Sequence, residues 1–310
     1  MNRPGDAMRE GGGIFDRGQV RRAFSRAARS YAAAAGLQHA VEAQLLESLD
    51  YLDERVPEVV LDLGCGPGGA AAAMQRRWPK ARVLALDLAL PMLRESRAGE
   101  RWHPLRRSVQ RICADVRALP LAEASVDVVF SNLCLQWVED LPAVFAGFRR
   151  VLRPGGMLLV STFGPDTLRE LREAFAEAEQ ASPAPAPHVS PFAGIAQFGD
   201  ALMAAGFRDP VLDRDTTVTR YPDLSALMRE LRAMGATNAL QARRHTLTGK
   251  ARFARAAQAY AAQCGGEDML PATWETITAM AWAPAPGAPI REGGMEVARF
   301  PASGIPVRRR

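Results

Sequence analysis

The chain has 310 residues, 48% of them hydrophobic, with 39 Lys and Arg against 34 Asp and Glu for a net charge of +5. That length and apolar content suffice for one large core with an accessory region, and no run of 18 apolar residues is present to span a membrane. Cys65, Cys113, Cys134 and Cys264 form no C-x-x-C pair and have no His at ligand spacing, so reduced thiols, a cytoplasmic setting and no metal are expected.

Residues 1–13 are polar and Gly-rich and are expected to be disordered, and a helical leader is expected over 14–55. Arg17–Ala34 carries Phe24, Ala27, Ala28 and Tyr31 at helical spacing, which puts Phe24 and Tyr31 on one face. Gly36 interrupts the pattern, and Leu37–Leu52 resumes it with Val41, Leu45, Leu49 and Leu52. Phe24 is expected to pack on the sheet edge. Tyr31, beside the break, is open to core packing or to the mouth of an active site.

Val59–Leu63 reads as a buried parallel strand, and Gly64-Cys65-Gly66-Pro67-Gly68-Gly69 forces a tight turn into a helix over Ala70–Arg77. Gly64, Gly66 and Gly69 satisfy G-x-G-x-x-G, a dinucleotide fingerprint. Asp62 argues against that ligand, because a pyrophosphate at the helix N-terminus would be repelled by a carboxylate. An acid two residues before the first glycine suits ammonium and sulfonium charge instead. The pattern D-x-G-x-G-x-G, here Asp62, Gly64, Gly66 and Gly68, resembles the first motif of S-adenosylmethionine-dependent methyltransferases.

The elements that follow come in the order such a fold requires. Arg82–Asp87 is a strand ending in an acid 23 residues after Gly64, suited to both ribose hydroxyls, with Leu88 and Met92 next for an adenine face. Arg111–Val116 is a strand through Asp115, which can accept from the adenine amine, with Val116 beside it. Val126–Asn132 is another, leading into Leu133 and Gln136, which complete the expected cofactor set with Asn132. A helix over Leu141–Leu152 and an Arg153–Gly156 turn lead to the strand Met157–Phe163. Strands alternating with helices predict parallel βαβ units with ligands at the strand C-termini. The expected fold is therefore α/β, Rossmann-like: a seven-stranded, mostly parallel sheet with helices on both faces, and a core over 56–222.

Beyond that core, Asp166 is placed to cap a helix with Leu168, Leu171 and Phe175 on one face, ended by the Pro-rich run 182–187. His188 follows this linker and reads as a solvated loop residue. Gln197–Ala205 is a helix ended by Gly206, and a long strand over Pro210–Tyr221 follows. Asp223 caps the stripe Leu224, Leu227, Met228, Leu231 and Met234, and Thr248 is placed to cap a second helix with Phe253, Ala257 and Tyr260. These helices form an insertion over 223–263, positioned as a lid and docking face. A final core strand is expected over 270–283, with Trp274–Trp282 at its heart, and a disordered tail over 284–310.

The chain from about Phe15 to Trp282 resembles the malonyl-acyl-carrier-protein O-methyltransferase family of biotin synthesis. The resemblance rests on Ala23–Tyr31 with Leu37-Gln38, on Ser131–Trp137, on Tyr221–Asp223, Leu227–Leu231, Gly235–Asn238 and Leu247–Gly249, and on Leu270–Glu275. The Arg-rich segment 101–111 and the tail depart from the pattern. It implies methyl transfer from S-adenosylmethionine to the free carboxylate of a malonyl thioester, carried by acyl carrier protein or coenzyme A. Two alternatives stay open: another small-molecule or protein side-chain substrate, as in a related assembly factor that hydroxylates arginine, or cofactor binding without turnover.

An alkyl carboxylate of pKa roughly 4 is already ionised at neutral pH, so no catalytic base is expected. A counter-charge is expected, and Arg is its natural source through its planar fork. Substrate candidates are Tyr31, Arg26, Arg229, Arg232, Arg243 and Arg244. Neither a nucleic-acid module nor the N-P-P-Y segment of amino-methyltransferases is present, so the basic excess predicts no nucleic-acid partner.

Overall fold

In the computed structural model of the protein, the described residues are 13–52, 55–98, 108–180, 182, 185–246, 249–263, 269–285, 290–292 and 295–297. The leader forms α1 (Arg17–Ala27), α2 (Tyr31–Ala34) and α3 (Gly36–Glu47). Then come β1 (Val59–Leu63), α4 (Gly69–Arg77), β2 (Arg82–Asp87), α5 (Leu90–Ala98), β3 (Gln110–Cys113) and β4 (Val126–Ser131). These are followed by α6 (Leu141–Val151), β5 (Leu152–Phe163), α7 (Arg169–Glu179), α8 (Ile195–Ala204) and β6 (Arg208–Tyr221). Last come α9 (Leu224–Ala233), α10 (Lys250–Gln263), β7 (Leu270–Trp282), β8 (Ile290–Glu292) and β9 (Met295–Val297).

Seven strands make one sheet in the order β3-β2-β1-β4-β5-β7-β6. The first five run parallel, and β7 is antiparallel to both β5 and β6. Because side chains alternate across a strand, Leu61, Leu63, Leu84 and Leu86 face one core while Val60, Val83 and Ala85 face the other. The first core is closed by α6 and α8 through Phe145, Phe148 and Phe198, the second by α3 and α4 through Leu45 and Met74. Both faces being covered explains why these strands read as continuous apolar runs. A third core joins α7, α9 and α10 to the ends of the β6–β7 ribbon, with Phe175, Leu227, Leu231, Tyr260 and Trp274 buried together. The strand order reverses between β1 and β4, and the crevice beyond their carboxyl ends is where this topology leaves room for a ligand.

Several boundaries differ from the sequence expectation, each for a local reason. The leader helix is broken at residues 28–30, where the Ser30 hydroxyl lies 2.7 Å from the Ala233 carbonyl and 3.1 Å from that of Ala27, competing with the helix ladder. Gly36 opens α3 rather than merely interrupting a helix. β5 begins before Met157, at Leu152, and takes in Arg153–Gly156, since Gly155 N donates to Ala283 O and Ala283 N to Gly156 O, each at 2.9 Å. Asp166 does not cap α7. Its backbone N–H goes to Glu275, and buried Leu168, at φ +54°, takes the capping position.

The third strand stops at Cys113, leaving Asp115 in the turn beyond it. In the expected tail, 290–292 and 295–297 pair as an antiparallel ladder, flanking a Gly-Gly pair in the sequence, itself a hairpin turn signal. The expected caps Thr248 and Cys264's environment, residues 1–12 and most of 101–111 lie outside the described residues. Asp223 does cap α9, accepting from Ala226 N at 2.7 Å.

Candidate active site

The loop between β1 and α4 is shaped by what surrounds it. Gly64 has φ +67°, and a Cβ there would overlap the Cys134 side chain. Gly68, at φ +84°, occupies the N-cap of α4 in the left-handed region that favours glycine. Gly64 N and Cys65 N both donate to Leu86 O, and Gly66 N donates to Asp87 Oδ2 at 3.0 Å, so the loop is stitched to the end of β2. A cleft lined by Gly64, Gly66, Asp87, Leu88, Met92 and Asp115 opens beside it.

Three carboxylates gather under this loop. Asp62 is 2% exposed and accepts from Ala71 N, yet its Oδ2 has no hydrogen-bond partner. Burial, with Glu42 and Asp87 nearby, pushes its pKa well up. Glu42, on α3, accepts from Ala70 N and is likewise raised by burial. Asp87 is pushed up to about 6 by burial, against the lowering effect of N–H donation from Ala89 and Gly66. None of the three has an ion pair among the described residues. Buried like charges without a cation are costly, so the cluster is electrostatically matched to a cationic ligand.

Asp115 differs. Burial raises its pKa, but the hydrogen bonds from Arg117 outweigh this and hold it below the ordinary carboxylate range. The thiol of Cys134, in the same cleft, is pushed up to about 12 by burial and the surrounding aspartates and stays protonated.

Behind the cleft lies an apolar chamber of about 230 Å³, lined among others by Phe163, Leu171, Phe175, Leu231 and Trp274. Phe24, Tyr31, Leu133 and Trp137 line both spaces and so form the shared wall at which the two adjoin. Phe24 does not pack on the sheet edge as expected; it meets Trp137 edge-on at 5.5 Å, drawn there by the aromatic pair. Leu133 holds its place in the wall at φ +44°, with its N–H donated to Ser161. The Tyr31 phenol is raised by burial and by Asp87 and Glu42, so it remains a donor.

The substrate candidates separate clearly. Arg232 lines the chamber and its guanidinium has no partner among the described residues. Arg26 and Arg229 are exposed and line neither space. Arg243 and Arg244, expected on an open docking face, are instead committed within the fold. Arg243 pairs with Asp16 at 2.7 Å, and Arg244 lies 3.5 Å from buried Glu179. Among the cofactor candidates, Asp62, Gly68 and Asn132 line neither space; Asn132 Nδ2 donates to Gln38 O and its Oδ1 accepts from Ser161, tying α3 to β5. Gln136 lies on the chamber side.

His188 is not a solvated loop residue. It stacks on Phe175 at 4.0 Å, donates to buried Glu179 at 3.0 Å and lines the chamber. Glu42, Gln38 and His188 are the site residues that sequence reasoning missed. Each is a polar residue on a helix face or linker, with no local motif to single it out.

Comparison with known proteins bears on the family and the fold. Residues 61–160 match the family described as a methyltransferase domain. The chain is 58% identical over 299 residues to a malonyl-[acyl-carrier protein] O-methyltransferase of Xylella fastidiosa, covering 96% of this chain and 98% of that one. A protein of the same name from Gallionella capsiferriformans is 41% identical over 276 residues, 88% of this chain and 93% of its own. The crystal structure of the YcgJ protein of Bacillus subtilis shares the fold with a TM-score of 0.53 at 14% identity, over 78% of this chain and 98% of that one.

Proposed function

The chain belongs to the malonyl-acyl-carrier-protein O-methyltransferase family and is an S-adenosylmethionine-dependent O-methyltransferase; on that premise we propose that it methylates the free carboxylate of a malonyl thioester on acyl carrier protein. This is the reaction that opens biotin synthesis in the family, with malonyl coenzyme A as the alternative carrier. The residues in and beneath the cleft fit the methyl donor. The orphaned Oδ2 of Asp62 and the unneutralised acids beside it match an ammonium and a sulfonium, and a glycine loop that tolerates no Cβ at Gly64 allows close backbone approach.

In this reading Asp62 takes the ammonium and Asp87 the ribose hydroxyls, with Gly64, Gly66 and Gly68 forming the floor. Leu88, Met92 and Val116 pack on the adenine, and Asp115 accepts from its amine. When bound, S-adenosylmethionine supplies an electrophilic methyl group on sulfur. The chain's own residues then need only position and desolvate. The malonyl carboxylate is ionised at neutral pH, so no side chain has to remove a proton. Holding the reacting atoms at ~3–3.5 Å can supply roughly 7–11 kcal/mol of the barrier. Arg232 provides the counter-charge in the chamber, and the protonated Tyr31 hydroxyl donates from the shared wall. Phe24, Leu133 and Trp137 exclude water from the line of transfer.

The observation that carries this reading is the shared boundary: four side chains line both an acid-lined cleft and an adjoining apolar chamber, where Arg232 has no partner among the described residues. Incubation with methyl-labelled S-adenosylmethionine and malonyl carrier protein tests it. A base-labile methyl on the malonyl group is expected. A base-stable methyl or hydroxyl on a protein arginine, with malonyl carrier protein unmodified, overturns it.

A further inference from the structure

Gln38 is a buried polar side chain of the chamber with little to do. It is 7% exposed, on the same helix as buried Val41 and Leu45. Its backbone is pinned, since its carbonyl accepts from Asn132 Nδ2 at 2.9 Å and Asn132 is itself held by Ser161. Its side chain is not. Nε2 meets only the thioether sulfur of Met234, at 3.2 Å, and Oε1 has no hydrogen-bond partner. A thioether is among the weakest acceptors in proteins, and a buried amide oxygen without a donor is an unfavourable arrangement.

Gln136, the other chamber glutamine with an orphaned Oε1, behaves differently. Its Nε2 donates to Leu133 O at 2.6 Å, so turning its amide would set two oxygens against each other. Turning the Gln38 amide by half a rotation about its terminal bond forfeits only the contact to sulfur. It then presents an NH₂ donor where the orphaned oxygen lay. A pinned backbone with an uncommitted polar end marks a group set for a ligand.

A malonyl thioester carries acceptors alone: a carboxylate and, one methylene away, a thioester carbonyl. The carboxylate, being charged, calls for a cation, and Arg232 supplies one. A neutral, desolvated amide is matched to the neutral carbonyl. Gln38 lines the chamber with Tyr31 and Leu133 of the shared wall, so it stands close to the reacting end. Resting on the function proposed above, we infer that Gln38 is a specificity-determining positioning residue whose amide donates to the thioester carbonyl oxygen of the malonyl group.

The test compares malonyl pantetheine with an analogue in which the thioester carbonyl is replaced by methylene, leaving the carboxylate and thioether. Full-length wild type, Gln38→Leu, Gln38→Met and Gln38→Glu are assayed for KM, kcat and S-adenosylmethionine affinity. The wild type is expected to prefer the thioester. Each variant should raise KM for the thioester by roughly tenfold or more, leave KM for the analogue within about twofold, and bind the cofactor as before.

Gln38→Glu should be the weakest on the thioester, because it replaces the amide donor with an acceptor that repels the carbonyl oxygen. An equal rise on both substrates assigns Gln38 to the carboxylate or to the fold and overturns the inference. Unchanged KM on both also overturns it. If the wild type transfers no methyl to malonyl pantetheine or malonyl carrier protein, the function itself is wrong. That outcome is distinct from a working enzyme indifferent to Gln38.

Discussion

Arg243 Nη2 lies 2.7 Å from Asp16 Oδ2, so two residues 227 positions apart lock the leader to the segment after α9. Around them, Asp16 N donates to Ala239 O, Gln241 N donates to Ile14 O, and Phe15 bridges to Leu240. The pair fastens the elements that carry Phe24 and Tyr31 onto the chamber. Arg243→Ala is expected to cost about 1 kcal/mol and lower the Tm by roughly 2–3 °C, with Arg243→Lys recovering part of the loss. KM for malonyl carrier protein and for malonyl pantetheine should shift by the same factor. A shift confined to the carrier-bound substrate would return Arg243 to the docking role that its sequence position suggested.

Asp62 predicts opposite effects on stability and binding. In the ligand-free protein its orphaned carboxylate is buried beside Glu42 and Asp87. Asp62→Asn therefore should raise the Tm of the free protein and weaken S-adenosylmethionine binding by about tenfold or more, through loss of a charge-assisted bond. Thermal melts and calorimetry read the two changes separately. Equal affinity of wild type and variant across a range of salt removes Asp62 from the ammonium site.

Asp87 imposes a pH dependence whose sign is set by its upward shift to about 6. The folded protein then binds a proton more tightly than the unfolded chain. This contribution is fully present below the unfolded carboxylate pKa and is lost as pH rises through about 6, on the order of 3 kcal/mol at most. The urea midpoint of the free protein should fall between pH 4 and about 6.5, and Asp87→Asn should flatten that slope. Cofactor affinity should run the other way, weakening as pH drops through about 6, because a protonated acid accepts fewer hydrogen bonds. An unchanged pH slope in Asp87→Asn would place the titration elsewhere.

Arg232 is expected to act on the substrate alone. Arg232→Gln should raise KM for the malonyl thioester on the order of tenfold, with S-adenosylmethionine affinity unchanged, because it lines the chamber and not the cleft. Arg232→Lys should recover part of this by restoring charge without the planar fork. Parallel losses of cofactor and substrate affinity would show that the side chain serves the wall instead.

The sequence by itself determined the strand, loop and helix at which the cofactor is proposed to bind. Asp62, the glycine turn and Asp87 are placed by the backbone they belong to, at the ends of two strands whose buried, largely apolar runs mark them in the sequence. Neighbouring residues carry that geometry, so local spacing reports it. The alternation of strands and helices likewise dictated a parallel sheet, with β7 and β6 appended.

The chamber was decided by tertiary structure. Glu42 and Gln38 lie 17 and 21 residues before β1 and reach the site only because α3 packs across the sheet. His188 is drawn inward by the buried carboxylate of Glu179, and Arg243 and Arg244 are neutralised by acids 227 and 65 positions away. An arginine's role depends on which partner meets it. Spacing could nominate six substrate candidates, but only packing separated Arg232, which lines the chamber, from Arg243 and Arg244, spent on holding the fold together, and from the exposed Arg26 and Arg229.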